Sequence, residues 1–169
     1  GGKTYNTAGT VIDEDANDKK APIPALFTKV FAANTVVQGA TMTHCWNIDV
    51  AAYADGSLAA LYKCRANNSD TDHRFLISQL RDRQWRSAYL GKAGAKLFGS
   101  EEDYTGLAAL HPDDPSTIFI STPIDPRDGK SLGVHEIFQG KTADQGATWT
   151  WVPITEQSTR DNLRPSVPA

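Results

Sequence analysis

Apolar and polar residues alternate with a period of two along most of this chain, the pattern of strands with one packed face and one wet face. In Trp46-Asn47-Ile48-Asp49-Val50-Ala51-Ala52-Tyr53 the alternation sets Trp46, Ile48 and Val50 on one face. Ala54-Asp55-Gly56-Ser57 supplies turn chemistry, and Leu58 to Arg65 reads as the returning strand. After a polar loop over Asn67 to Asp72, His73 to Gln79 reads as a third strand. Arg81-Asp82-Arg83-Gln84 then reads as a tight turn and Trp85 to Leu90 as a fourth strand.

The same order recurs. Tyr104 to Leu110, Thr117 to Ser121, Val134 to Gln139 and Trp149 to Ile154 read as strands. A turn rich in Pro and Asp, His111 to Ser116, follows the first, and a long polar loop, Thr122 to Gly133, follows the second. Four-stranded units repeated at roughly 50 to 60 residues are the sign of a β-propeller; a generic β-sandwich, whose strands also alternate, is the competing architecture. The expected fold is therefore all-β, a partial β-propeller of about two and a half four-stranded antiparallel blades. Residues 1–40 are expected to hold strands of an incomplete preceding blade, Lys3 to Ile12 and Leu26 to Phe31, around a charged loop. Residues 41–95 form one blade, 96–157 the next, and 158–169 the start of another.

Composition narrows what such a fold can do. Seventeen basic against twenty acidic residues leave a net charge of −3, which excludes a broad nucleic-acid surface. Disorder needs a larger net charge than this. No apolar run approaches the ~18 residues of a membrane span, and no basic-then-apolar start reads as a signal peptide. Asp13, Asp15 and Asn17 resemble the start of a calcium loop, but Asp18 stands where the turn glycine belongs and Pro24 where the closing acid belongs. That loop reads as solvated, and neither a metal nor another cofactor is expected. Cys45 and Cys64 flank one predicted hairpin on the same face, so a bridge is open to them, although two buried thiols are the expected state.

Thr142-Ala143-Asp144-Gln145-Gly146-Ala147-Thr148-Trp149 matches an Asp-box pattern: Ser or Thr, x, Asp, x, Gly, x, x, aromatic. Physically this is a self-satisfied turn. The carboxylate accepts nearby N–H groups, the glycine permits positive φ, and the tryptophan anchors the hairpin. With its place between the third and fourth strands of a repeat, the motif resembles the Asp-box (BNR-repeat) propellers of the sialidase-like superfamily. There it is structural, so Thr142, Asp144, Gly146 and Trp149 are expected to build the turn and not the chemistry. Trp46-Asn47-Ile48-Asp49, Thr71 to Phe75, Glu102 to Leu107, His135-Glu136-Ile137-Phe138 and Asp161 to Pro165 resemble BNR-repeat proteins grouped with polysaccharide-lyase-like propellers. The resemblance covers most of the chain and implies a secreted or periplasmic protein that meets polysaccharides.

In a blade the turns after the first and third strands share one rim, and the remaining connections share the other. The first group here is short; the second is longer and carries most of the unusual polar side chains, which makes its rim the candidate site. His73 and Arg74 begin a third strand there, and His135 and Glu136 begin the equivalent strand of the next unit. Glu102, Asp103 and Tyr104 precede an innermost strand, and Asn162 and Arg164 precede the next, with Pro165 keeping Arg164 extended.

Such a set suits acidic-glycan cleavage by β-elimination. An arginine (Arg164 or Arg74) neutralises the uronate, a histidine (His73 or His135) takes the α-proton, and Tyr104 protonates the leaving oxygen. Expected catalytic residues are thus His73, Tyr104, His135 and Arg164, and expected sugar contacts Arg74, Glu102, Asp103, Glu136 and Asn162. The alternatives are a non-catalytic glycan-binding or scaffold propeller and a sialidase-like hydrolase. The expected partners are a polysaccharide or oligosaccharide, and either further blades or further copies to close the ring, because so few blades cannot close one.

Overall fold

The computed structural model describes residues 2–168. Its strands are β1 (Thr4–Tyr5), β2 (Val11–Asp13), β3 (Val36–Val37), β4 (Ala40–Ala52), β5 (Leu58–Ala66), β6 (His73–Arg81), β7 (Gln84–Gly94), β8 (Ala108–Leu110), β9 (Thr117–Ile124), β10 (Ser131–Lys141) and β11 (Thr150–Pro153). One 3-10 turn, Pro24–Leu26, is the only helix among the described residues, and none is long and apolar enough to cross a membrane. The fold is all-β, with three antiparallel sheets in the orders β1-β2, β3-β4-β5-β6-β7 and β11-β10-β9-β8.

The two large sheets are sequential meanders packed face to face. Ala59, Leu61, Phe75, Ile77 and Leu90 from one meet Ala108, Leu110, Ile118, Ile120 and Phe138 from the other. Each of the Leu, Ile and Phe side chains among them contributes roughly 1.5–3 kcal/mol through its removal from water. The opposite face of the larger sheet buries Met42, Tyr62, Cys64 and Leu76 under a strap carrying Val30, Phe31 and Val37. An apolar groove of about 650 Å³ remains there, walled by Val30, Phe31, Met42, Val50, Tyr62 and Trp85.

Several sequence expectations need correction. Lys3 to Ile12 is not one strand. Asn6 Oδ1 accepts the N–H groups of Ala8 and Thr10, and Gly9 at φ +81 turns the chain, so β1 and β2 form a hairpin. Leu26 to Phe31 forms no strand, since Ile23-Pro24 opens the 3-10 turn instead. The first large sheet has five strands because β3 pairs with the start of β4. Tyr104 to Leu107 lies outside β8: Tyr104 O accepts Leu97 N–H, and Leu107 N–H donates to Leu163 O. The loop expected over Thr122 to Gly133 is shorter, because β9 and β10 extend to a turn that Asp125 organises by accepting Arg127 N–H and guanidinium bonds.

Two further corrections concern β4. Val50 pairs with Ala60 and Asp49 with Leu61, but Asn47 pairs with Tyr62 and Trp46 with Lys63, leaving Ile48 as an extra, bulged residue. A one-residue slip exchanges faces. Trp46 therefore lies on the Lys63 face and Val50 on the Ala60 face, not together. Cys45 and Cys64 are joined as a disulfide rather than kept as thiols. The bond closes a hairpin of 19-residue separation, worth about 3 kcal/mol in unfolded-chain entropy.

The connections sort to two ends. The β4–β5 turn at Asp55, the β6–β7 turn at Asp82-Arg83 and Gln145 of the β10–β11 turn line one cleft, and Gln79 Nε2 donates to Pro115 O of the β8–β9 turn. The longer loops lie at the other end.

Candidate functional site

At the turn end, the Asp144 and Asp114 carboxylates are satisfied by residues next to them in sequence. Asp144 Oδ1 accepts Thr142 Oγ1–H and Thr148 N–H, both at 2.8 Å, and Oδ2 accepts Thr148 Oγ1–H at 2.6 Å. Gln145 and Gly146 take positive φ, and Trp149 Nε1–H donates to Gly146 O at 3.1 Å. The Thr148 and Thr142 bonds hold the Asp144 carboxyl at about 2. Asp114 repeats the device with the hydroxyls of Ser116 and Thr117, which also hold it at about 2. These carboxylates have little capacity left for a ligand.

The loop end is built differently. Lys63 and Arg65 leave β5 on the same face as Ala59 and Leu61, at 5% and 7% exposure, so the apolar register delivers two cations to the edge of the core. Arg65 forms a two-bond fork on Asp103, at 2.6 and 2.8 Å, and reaches Glu102 at 3.0 Å. That fork holds the Asp103 carboxyl below its usual range, helped by the indole N–H of Trp46. Lys63 Nζ donates to Thr105 Oγ1 at 3.0 Å and lies 6.0 Å from the Tyr104 ring centroid. Burial lowers the Lys63 amine to about 8, against the pull of Asp103. Arg164 donates to the Tyr104 hydroxyl at 3.1 Å across 60 positions of sequence.

His73 pairs with Arg65 across the β5–β6 ladder and is fully buried. Its Nδ1 donates to Gly94 O at 3.0 Å, which leaves Nε2 as the lone-pair nitrogen, 3.6 Å from Asp103 Oδ1. Burial lowers the His73 pKa, and Lys63 and Arg65 add to this. His135 donates through Nδ1 to Asp161 Oδ1 at 3.1 Å. It flanks the same glycine, since a Cβ on Gly94 would lie 3.7 Å from its Nε2. Both Nε2 atoms are buried without a hydrogen-bond partner among the described residues.

The structure thus gathers His73, Glu102, Asp103, Tyr104 and Arg164 into one cluster, with His135 behind Gly94. Three expected sugar contacts lie apart. Arg74 pairs with Cys64 on the other face, where it forks Asp72 and donates to Val37 O and Gln38 O. Glu136 is buried and spent on an internal latch: it accepts Thr155 Oγ1–H, Ser158 N–H and Oγ–H, and Asn162 Nδ2–H. Burial works to raise its pKa, yet those donors hold it below the ordinary value. Asn162 is committed to the same latch. Sequence reasoning missed Trp46, Lys63, Arg65 and Thr105. The available signal was two cations on the alternate positions that Ala59 and Leu61 mark as core.

The open mouth of the cluster is aromatic. Trp46 is 57% exposed, Phe98 is exposed, and the Phe98 and Tyr104 rings sit 5.1 Å apart. Three cations face two carboxylates there. Among the described residues no three His, Cys, Asp or Glu side chains come together as a metal site would require. The arrangement can stack a flat apolar ring face, pair with an anion, and pass a proton through the Tyr104 hydroxyl. In comparisons with known proteins, no family model, curated protein or solved structure matches this chain.

Proposed function

We propose that the chain is part of an Asp-box β-propeller whose loop rim binds an acidic glycan. The propeller half of this reading is supported by the two sequential meanders packed face to face and by the Asp-box turn joining β10 to β11. The apolar outer groove on the first sheet, and Val152 and Ile154 exposed at the second, suit neighbouring blades. The glycan half is carried by one observation: exposed Phe98 packs on Tyr104, whose hydroxyl takes Arg164, while exposed Trp46 pairs with Lys63, which is buried with Arg65 beneath. Sugar rings stack on aromatics through their C–H faces, while a uronate carboxylate takes the fork of Arg164.

The test is titration with uronic-acid oligosaccharides and with their neutral, carboxyl-reduced counterparts. The reading expects preference for the acidic series, weakening with salt, and about a tenfold loss in Arg164→Ala. Equal affinity for both series would overturn it.

β-Elimination is the second reading, favoured by the 3.1 Å contact between Tyr104 and Arg164. Arg164 stabilises the enolate-like charge as the proton α to the carboxylate leaves, the C–O bond to the leaving sugar breaks, and Tyr104 protonates that oxygen. The base would be Nε2 of His73 or His135, and since both are sealed, a loop must open first. Unsaturated-product absorbance that appears with the unaltered chain and disappears in Tyr104→Phe supports this reading; binding without product leaves the glycan-binding function alone.

A further inference from the structure

We infer that the Cys45–Cys64 disulfide is a register lock for this site: it holds a short piece of β4 in the one pairing that turns Trp46 toward Lys63. Residues paired across an antiparallel ladder share a face. Counting from the turn, Ala52 pairs with Leu58, Ala51 with Ala59, Val50 with Ala60 and Asp49 with Leu61. An uninterrupted ladder would then set Trp46 opposite Cys64, on the face away from the site. Instead Ile48 bulges, Trp46 pairs with Lys63, and Cys45 comes opposite Cys64. A second bulge follows at His44, which takes φ +46, before Thr43 pairs with Arg65. Only Cys45, Trp46 and Asn47 carry the shifted register.

Besides the bond, the bulged Ile48 packs against the core between the sheets, but the shifted residues themselves are weakly held. Register is specified where one face is buried, and the side chains of His44, Cys45, Trp46 and Asn47 are all exposed. The competing pairing has an attraction of its own. It would turn Trp46 toward the apolar groove of about 650 Å³ beside Val50 and Trp85, where a large indole gains burial. The sulfurs meet only in the shifted register. The bond therefore keeps Trp46 exposed on the Lys63 face, against the hydrophobic pull of the groove. The consequence for glycan affinity rests on the binding reading above; the register claim does not.

The test compares the unaltered protein with a Cys45→Ser, Cys64→Val double variant, the valine filling the buried space. Nuclear Overhauser contacts across the β4–β5 ladder are the primary readout. Trp46 should move from facing Lys63 to facing position 64, with a blue-shifted indole emission and about a tenfold loss of acidic-oligosaccharide affinity. Deleting Ile48 makes the shifted pairing the uninterrupted one, so in that background the cysteine substitutions should leave Trp46 opposite Lys63. If the double variant does not fold, thiol reduction of the folded unaltered protein gives the same spectra. A folded variant or reduced protein that keeps the Trp46–Lys63 contacts overturns the lock. Moved contacts with no acidic-glycan affinity in either protein would instead sink the binding reading.

Discussion

The two ends of this molecule handle charge in opposite ways. At the turn end, Asp114 and Asp144 find their partners two to four residues away, and Asp55 adds Arg81, 26 residues away, to its bonds from Ser57. At the loop end Arg74–Asp72 and Arg127–Asp125 are local as well, but the partners within the candidate site are 26 to 60 residues apart: His135 with Asp161, Arg65 with Asp103, Lys63 with Thr105 and Arg164 with Tyr104. Local satisfaction makes a robust hairpin with no residual reactivity. At the loop end the Nε2 atoms of His73 and His135 stay buried without a partner where several segments must arrive together, as Gln79 Oε1 and Arg81 Nε do nearer the turn end.

Breaking one partner should therefore cost most at the loop end. Asp103→Ala strips the fork from a 7%-exposed Arg65 and should destabilise by about 3 kcal/mol in urea unfolding, with the single contact to Glu102 left in its place. A loss below 1 kcal/mol would mean that the two ends do not differ in this way. Asp114→Ala removes a local turn and should cost about 1–2 kcal/mol with glycan affinity unchanged.

Acid sharpens the same contrast. A carboxyl held at about 2 contributes stability that is present above its unfolded value of 3.8 and lost as pH falls toward 2. The unaltered protein should therefore weaken across that window more steeply than Asp114→Ala, as followed by thermal melts.

The smallest effect on stability is expected at Lys63. Its amine is lowered from 10.5 to about 8, so the folded state carries a penalty for charge below pH 8 that is relieved as pH rises toward 10.5. Lys63→Met should stay within about 1 kcal/mol of the unaltered protein at pH 7 and lack the alkaline gain, while losing acidic-glycan affinity. A variant that is destabilised yet binds normally would reverse the assignment of Lys63 to the site.

The same contrast explains what could be read from sequence. The turns were legible because Asp, Ser, Thr and Gly act within a few positions, and β5, β6 and β9 because alternation survives burial on both faces. The shared end of His73, Asp103, Tyr104 and Arg164 followed from strand order alone. The facing of Trp46 did not, since a bulge at Ile48 carries no compositional mark. Arg74 and His73 are sequence neighbours on a regular strand, and that regularity is what sends them to opposite faces. Glu136 looked free because its donors arrive from Thr155, Ser158 and Asn162, beyond the last strand.

That last arrival has a consequence for how the site can be switched off. Arg164 and Asp161 come on a segment after β11 that is docked by Asn162 N–H to His135 O, by Leu107 N–H to Leu163 O and by the Glu136 latch. A protease cutting between Ile154 and Ser158 would sever the covalent tether of the stretch carrying the guanidinium and the imidazole's carboxylate, leaving it held by those few bonds alone while both large sheets stay whole. The binding proposed for this rim would then weaken at a single peptide bond, with no melting of the β-structure to announce it.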